Sequence, residues 1–375
     1  MPAIAVIHLN RLKKNIEAAR KIIGPHPKIC LPVKADAYGH GAVPVSQAAL
    51  KAGVEYLAVA GAAEGRELRE AGIKAPILLL SQALPEELKE IICNELTPLV
   101  SDNDFIEEAA LAAQRENKSL GLHLKVDTGM GRLGCRPEEA VKLAAKICSL
   151  KKLKLEGIAT HFSVSDSKDN GSTGADSDFS YTKDQIRKFK DAVNSIRKAG
   201  IEPGIVHAAN SGALVLHNDS YFDMVRPGLF LYGYSFPENL PQEAEIEPVM
   251  ELKSVLVSIK KVKKGEYVSY GRSWTAKRDT FIGIIPTGYA DGFPRALSNN
   301  HSILIRGRAY PLTGRICMDQ CMVDLGTEPE VKRWDEATIF GPGFINAKDI
   351  ADKINTIPYE ITCNINKRVV REYRE

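Results

Sequence analysis

Short apolar runs in this sequence repeatedly end on a residue able to do chemistry, and Lys34 is the first of them. It follows Ile29–Val33 and opens the stretch Lys34-Ala35-Asp36-Ala37-Tyr38-Gly39-His40-Gly41. A lysine that ends a run of buried type is partly desolvated, which lowers its pKa. The resulting amine can form a Schiff base with an aldehyde cofactor. Taken alone, such a lysine more often snorkels its ammonium to the rim. Here Tyr38 follows in the same stretch, and Gly39 and Gly41 let the backbone approach a ligand closely. Asn210-Ser211 and Gly228-Leu229 stand at the ends of two later apolar runs. In barrel enzymes backbone N–H groups at such places hold phosphate, although the same residues also suit turns and helix caps. Arg226 reads either as a salt-bridged rim residue or as the neighbour of a cofactor ring. His161 ends another run, and a single histidine there is more often a hydrogen-bonded structural residue.

The elements that must position these residues alternate. Strand-like runs occupy Ile29–Val33, Tyr56–Ala60, Pro76–Leu80, Leu96–Val100, Leu120–Val126, Leu155–Thr160, Ile205–Ala208 and Met224–Leu231. Amphipathic stretches lie between them, at Ala62–Ala71, Pro85–Cys93, Phe105–Gln114, Pro137–Ser149 and Lys183–Lys198. Strands alternating with helices of this length imply parallel βαβ units. Eight such strands in about 200 residues predict an α/β fold closed as a (β/α)8 TIM barrel, with chemistry at the carboxyl ends of its strands. After Gly233 the texture changes: Pro237, Pro241 and Pro248 mark a linker, and Met250–Ile259, Thr280–Ile285 and His301–Ile305 are β-rich. We therefore expect a cofactor-binding barrel over 1–239 and a mainly β C-terminal domain over 240–375, with 1–10 free to pack with the latter. Ser163–Ser180, rich in Ser, Asp and Gly, predicts a long exposed loop in the barrel domain.

Bulk properties narrow the function classes. A chain of 375 residues with 44% apolar and 26% charged residues has the composition of a soluble globular protein. A net charge of +3 is too small for a nucleic-acid footprint or an anionic-membrane surface. The basic cluster Lys260, Lys261, Lys263 and Lys264 reads as a solvated turn between strands. The seven cysteines are scattered without a Cys-x-x-Cys pair, which argues against a disulfide framework and a structural zinc site. The N-terminus lacks the pattern of a signal peptide, and no apolar run approaches the roughly 20 residues of a membrane span. A cytoplasmic enzyme acting on a small molecule is the expectation.

Val33-Lys34-Ala35-Asp36-Ala37-Tyr38-Gly39-His40-Gly41 is similar to the cofactor-lysine signature of alanine racemases. The resemblance continues through His123-Leu124-Lys125-Val126-Asp127-Thr128-Gly129-Met130-Gly131-Arg132, Asn210-Ser211-Gly212, Val225-Arg226-Pro227-Gly228 and Val268-Ser269-Tyr270-Gly271. It ends with Gly288-Tyr289-Ala290-Asp291-Gly292, Gly314-Arg315-Ile316-Cys317-Met318-Asp319-Gln320 and Ile357-Pro358-Tyr359-Glu360. Several motifs in one order, spread over both halves, make the signal specific. It implies a pyridoxal 5'-phosphate enzyme of fold type III that interconverts L- and D-alanine and supplies D-alanine for peptidoglycan.

The resemblance also implies roles. Lys34 carries the cofactor and serves one face of the substrate Cα, and Tyr270 serves the other. A free tyrosine, with a pKa of about 10, is a poor base at neutral pH, so positive charge or hydrogen bonds from His161 and Arg226 would have to stabilise its phenolate. Arg226 matches the partner of the pyridine nitrogen. It cannot accept a proton, so that nitrogen stays unprotonated. Tyr38, Ser211, Gly228, Leu229 and Tyr359 match the phosphate contacts, and His161 and Asn210 complete the cofactor site. Arg132 is expected near the cofactor's phenolic oxygen or the substrate carboxylate. Lys125 matches a position that carries a carbamate in many relatives, whose charge would hold Arg132; an ordinary surface pair with Asp127 or with a glutamate is the alternative. Relatives bring the equivalents of Tyr270, Met318 and Asp319 to the barrel of another subunit, while Tyr289 narrows the entrance. The implied assembly is a homodimer with shared active sites and no metal.

Three rival readings stand beside this one. A racemase of serine or lysine has the same machinery with a different pocket. A decarboxylase of related fold needs no second-face base such as Tyr270. A non-enzymatic cofactor carrier resembles the barrel alone and lacks Val268-Ser269-Tyr270-Gly271. The Ser163–Ser180 stretch departs from the family in being longer and more polar.

Overall fold

The computed structural model describes residues 3–166, 179–234 and 245–375. The linker prolines Pro237 and Pro241, and most of the expected Ser163–Ser180 loop, lie outside the described residues. The chain divides into two compact units, one of Leu12–Ala37 with Ala42–Ile246, the other of Met1–Arg11, Tyr38–Gly41 and Glu247–Glu375. The strand β1 (Ala3–His8) belongs to the second.

The first unit is a closed parallel barrel. Its strands are β2 (Lys28–Pro32), β3 (Tyr56–Val59), β4 (Ile77–Leu79), β5 (Thr97–Val100), β6 (Leu120–Lys125), β7 (Leu153–Ala159), β8 (Ile205–His207) and β9 (Met224–Val225). Closure is made where Lys28 and Ile29 pair with Met224 and Val225. Strands covered on both faces need apolar residues throughout, and Ile77, Leu78 and Leu79 of β4 are all fully buried. Between the strands, helices bury one stripe each. In Asn103–Arg115 the stripe is Phe105, Ile106, Ala109, Ala110 and Ala113, at the i, i+3, i+4 spacing of an amphipathic helix. Asp102 caps that helix by accepting the Phe105 N–H at 2.8 Å.

The sequence-based expectation of a last strand running to Leu231 is corrected. Strand β9 ends at Val225 because Pro227 has no N–H to give a ladder. The chain then turns, with N–H groups of Leu231, Tyr232 and Gly233 donating to the carbonyls of Gly228, Leu229 and Phe230. Helices over Leu9–Ile23 and Ala42–Lys51 add to those expected.

The second unit is mainly β. A six-stranded sheet has the order β16–β15–β18–β10–β1–β19, formed by β10 (Met250–Val255), β15 (Ser302–Ile305), β16 (Arg308–Pro311), β18 (Glu336–Phe340) and β19 (Val370–Arg374) around β1. A three-stranded sheet joins β11 (Ser258–Val262), β14 (Thr280–Ile285) and β17 (Cys321–Gly326), and a two-stranded ribbon joins β12 (Tyr267–Val268) to β13 (Trp274–Thr275). Val262, Val268, Ala276, Ile282 and Met322 form a core beneath the ribbon. The basic cluster is only partly a turn: Lys260 and Lys261 lie in β11, leaving Lys263 and Lys264 outside it. Among the described residues no helix is long and apolar enough to cross a membrane.

Candidate active site

Lys34 stands just past the carboxyl end of β2 and is half-buried. The backbone after it is unusual. Ala35, Asp36, Ala37 and Tyr38 all have φ between +51° and +54°, so the turn Lys34–Gly39 winds left-handed. For residues with a Cβ this costs roughly 1–2 kcal/mol each, and its neighbours hold it in place. The Glu64 carboxylate accepts the N–H groups of Ala35 (2.8 Å) and Ala60 (2.7 Å). Asp36 accepts the N–H of Ala42 at 2.8 Å. The effect is to fix the backbone on both sides of the lysine.

Arg226 follows β9 and is buried, which rules out the rim ion pair considered from sequence. Its Nη2 donates to the carbonyls of Thr160 (2.8 Å) and Ala208 (3.0 Å), and its Nη1 to Nδ1 of His207 (2.7 Å). Burial pushes its pKa down to about 10, which still leaves it charged at neutral pH. Among the described residues no carboxylate lies within ion-pair distance of it. A desolvated cation without a carboxylate suits an electron-rich ligand atom. His161 lies 3.4 Å from Arg226 through Nδ1. Burial first, then the charges of Arg226, Lys125, Arg132 and Lys34, push the His161 pKa well below its ordinary value. A neutral His161 that accepts from arginine at Nδ1 carries its proton on Nε2. It can therefore stabilise an anion by donating a hydrogen bond and not by its own charge.

Lys125 ends β6 and is buried, which sets aside the surface pair. Burial, followed by the charge of Arg226, holds its pKa well below the lysine range, against the opposing pull of Asp127. Asp127 is occupied elsewhere: its carboxylate accepts the N–H groups of Gly129, Met130 and Gly131 at 2.8–2.9 Å. Burial alone would raise the Asp127 pKa, and these bonds outweigh it. The carboxylate thereby shapes the loop that carries exposed Arg132. Asn210 caps the helix Ser211–Leu216, accepting from Ala213 N–H at 3.0 Å. Ser211 Oγ accepts from the Phe230 N–H at 3.2 Å, which joins it to the buried Gly228-Leu229 turn.

Sequence reasoning missed three participants in this unit. His207 and His123 are the polar interruptions of two apolar strands, and that interruption was the available signal. Gln185 is fully buried and reaches Thr128 Oγ1, the His161 carbonyl and Ser163 from the helix Ser180–Lys198. Nothing in its sequence context separates it from a solvated helix residue.

The second unit gathers the remaining candidates. Tyr38 and Tyr359 meet edge to face with centroids 5.0 Å apart, and a Cβ on Gly39 would overlap the Thr362 carbonyl. Tyr270 follows β12 in a loop where Ser269, Gly271 and Arg272 all have positive φ. Ser269 Oγ donates to the Arg315 carbonyl at 2.7 Å, and the Arg315 guanidinium covers Gly271. Tyr289 and Ala290 donate their N–H groups to the carbonyls of Cys317 and Met318. Asp319 pairs with Arg368 at 2.9 Å, and Arg368 also binds Asp291 at 2.7 Å. Tyr270 is 69% exposed, Met318 53% and Tyr289 42%, so none of the three is a packing residue.

A closed (β/α)8 barrel with a lysine just past the end of its first strand, in a chain with a second, mainly β unit, is the layout of barrel enzymes able to hold an aldehyde cofactor. The comparisons narrow it. Residues 7–236 match the description "Alanine racemase, N-terminal domain" and residues 249–373 match "Alanine racemase, C-terminal domain". The chain is 50% identical to the alanine racemase of Treponema denticola, over 98% of this chain and 97% of that protein. It is 45% identical to that of Treponema pallidum, over 98% of each. The alanine racemase structure from Clostridium difficile is similar at a TM-score of 0.94 and 37% identity, covering 100% of this chain and 96% of that one. The chain belongs to the alanine racemase family, whose members are isomerases dependent on pyridoxal 5'-phosphate. The residues present fit that group: an amine at a strand end, hydroxyl and backbone donors at Ser211 and Leu229, and a buried guanidinium with no carboxylate partner among the described residues.

Proposed function

We propose that this chain interconverts L- and D-alanine with pyridoxal 5'-phosphate held on Lys34. The observation that carries the reading is Lys34 itself, set by a left-handed turn at the end of the first barrel strand in a chain that matches both domains of the family. Bound there, the cofactor supplies an electron sink that makes the substrate Cα–H acidic. Lys34 Nζ takes or returns the proton on one face, and Tyr270 Oη does so on the other. Arg226 keeps its charge against the pyridine nitrogen. His161 donates from Nε2 towards the Tyr270 oxygen. Asn210, Ser211, Gly228, Leu229, Tyr38 and Tyr359 bind the phosphate side. Arg132 orients the substrate carboxylate, and a carbamate on Lys125 holds Arg132 by charge.

Tyr270, Met318, Asp319 and Tyr289 then act in a neighbouring copy's barrel, which makes the working enzyme a homodimer with shared sites. We place it in the cytoplasm, where it supplies D-alanine for peptidoglycan. The exposure of Tyr270, Met318 and Tyr289 supports a covering partner, because exposed apolar groups gathered together mark interaction surfaces. Replacing Tyr270 by Phe should leave cofactor absorbance intact and reduce racemisation by about 10²–10⁴-fold, the range of a lost general base. Unchanged racemisation would remove Tyr270 from the reaction. A pocket narrowed by Tyr289 and Tyr359 favours the methyl side chain. Discrimination against serine by one hydroxyl is about 1–3 kcal/mol, and a higher kcat/KM on lysine than on alanine would overturn the substrate assignment.

A further inference from the structure

Two histidines lie in line behind Arg226. His207 Nδ1 is 2.7 Å from Arg226 Nη1, and His207 Nε2 is 2.8 Å from His123 Nδ1. They come from β8 and β6, which flank β7. Both rings are buried, with centroids 4.9 Å apart and planes at 65°. The intervening strand leaves room for the contact: Gly157 of β7 pairs with His123, and a Cβ there would overlap the His123 ring. The β6–β7 register shifts between Leu122 and His123.

The proton positions follow from hydrogen-bond chemistry. A guanidinium only donates, so His207 Nδ1 must be an acceptor without a proton. A neutral His207 then carries its proton on Nε2 and donates it to His123 Nδ1. That leaves His123 protonated on Nε2. Burial pushes the His123 pKa down to about 3 and that of His207 well below the ordinary value, which favours the neutral form of both rings. With His123 absent, His207 Nε2–H would be a buried donor without an acceptor, an arrangement that costs free energy. The other tautomer would point Nδ1–H at the arginine.

We infer that His123 is a positioning residue: it fixes His207 as the Nε2–H tautomer, so that His207 accepts from Arg226 and orients its guanidinium, with Gly157 as the gap that makes this possible. The inference rests on the reading of Arg226 as the partner of the cofactor ring. It goes beyond that reading in naming what sets the arginine.

The test uses holoenzyme with ¹⁵N-labelled histidine and a ¹⁵N-labelled cofactor pyridine. In the unaltered protein the His207 Nδ1 resonance should be that of an unprotonated nitrogen and Nε2 that of a protonated one, unchanged from pH 6 to pH 9. The opposite assignment would overturn the relay without any variant. His123→Leu, of similar size but without an acceptor, should change the His207 pattern and lower kcat by about tenfold with KM nearly constant, as expected for one lost hydrogen bond in the arrangement behind a catalytic group. His123→Asn, whose side-chain oxygen can replace Nδ1 as acceptor, should restore both. Loss of kcat in Leu and Asn variants alike would mark His123 as packing only and overturn the inference. A changed His207 pattern with kcat and the pyridine resonance unmoved would show that the His207 tautomer does not set Arg226, and would overturn the positioning claim. Failure of the Arg226 reading would show separately, as a pyridine resonance of a protonated nitrogen in the unaltered holoenzyme.

Discussion

Lys125 concentrates the electrostatics of the barrel unit on one atom. Burial and the charge of Arg226 hold its pKa well below the lysine range, which favours the neutral amine, and a neutral amine adds to carbon dioxide, losing a proton to give an anionic carbamate. The product would set an anion, in place of a neutral amine, beside the positive charges of Arg226 and Arg132. Holoenzyme in ¹³C-bicarbonate is expected to give a carbamate resonance that Lys125→Met lacks, with Lys125→Met also losing activity. A spectrum without that resonance would mean that Arg132 is held in some other way. Lys34 and Arg226 could be named from sequence because charged residues are costly at the ends of apolar runs, whereas Tyr270 is singled out only by the resemblance of the motif around it. Their partners could not. Gln185 and His207 matter through contacts to residues distant in the chain, Gln185 to Thr128 and His207 to His123, and one-dimensional spacing does not record such contacts.

At the scale of elements, the left-handed turn after β2 decides where the lysine sits. The strands themselves were legible because strands buried on both faces must be continuously apolar. The turn was not, since Ala35, Asp36 and Ala37 have no preference for positive φ that would announce it. Only Gly39 and Gly41 hinted at special backbone. Gly39 has φ +83° and no space for a Cβ against the Thr362 carbonyl. Gly39→Ala should therefore destabilise the fold by about 2–4 kcal/mol, combining backbone strain with steric overlap, as read from urea midpoints. A cost below 1 kcal/mol would mean that the segment relaxes without the glycine. Strand β9 failed in the opposite way: its apolar run continued past Pro227, and the ladder did not.

For the molecule as a whole, the buried histidines predict how stability depends on pH. His123, at about 3, and His161 and His207, also lowered, bind fewer protons in the folded chain than the ordinary value of 6.5 would give once unfolded. Their neutral burial therefore costs nothing extra above pH 6.5 and becomes destabilising as the pH falls towards the folded values. Urea midpoints should drop between pH 7 and pH 5, and less steeply in His123→Asn; a flat profile would contradict the burial of these rings. The second unit has a different property. Strand β1 lies between β10 and β19, pairing Ile4 with Lys253 on one side and with Val370 on the other, so the whole barrel unit is threaded between neighbours in one sheet. On the ribosome, β1 emerges long before either partner. It must remain unpaired while the barrel is synthesised, and the sheet closes only after Val370–Arg374 has emerged. A nascent chain stalled before β19 would expose one flank of β1 as an open edge, which makes that interval the one in which strand exchange with a second chain is easiest.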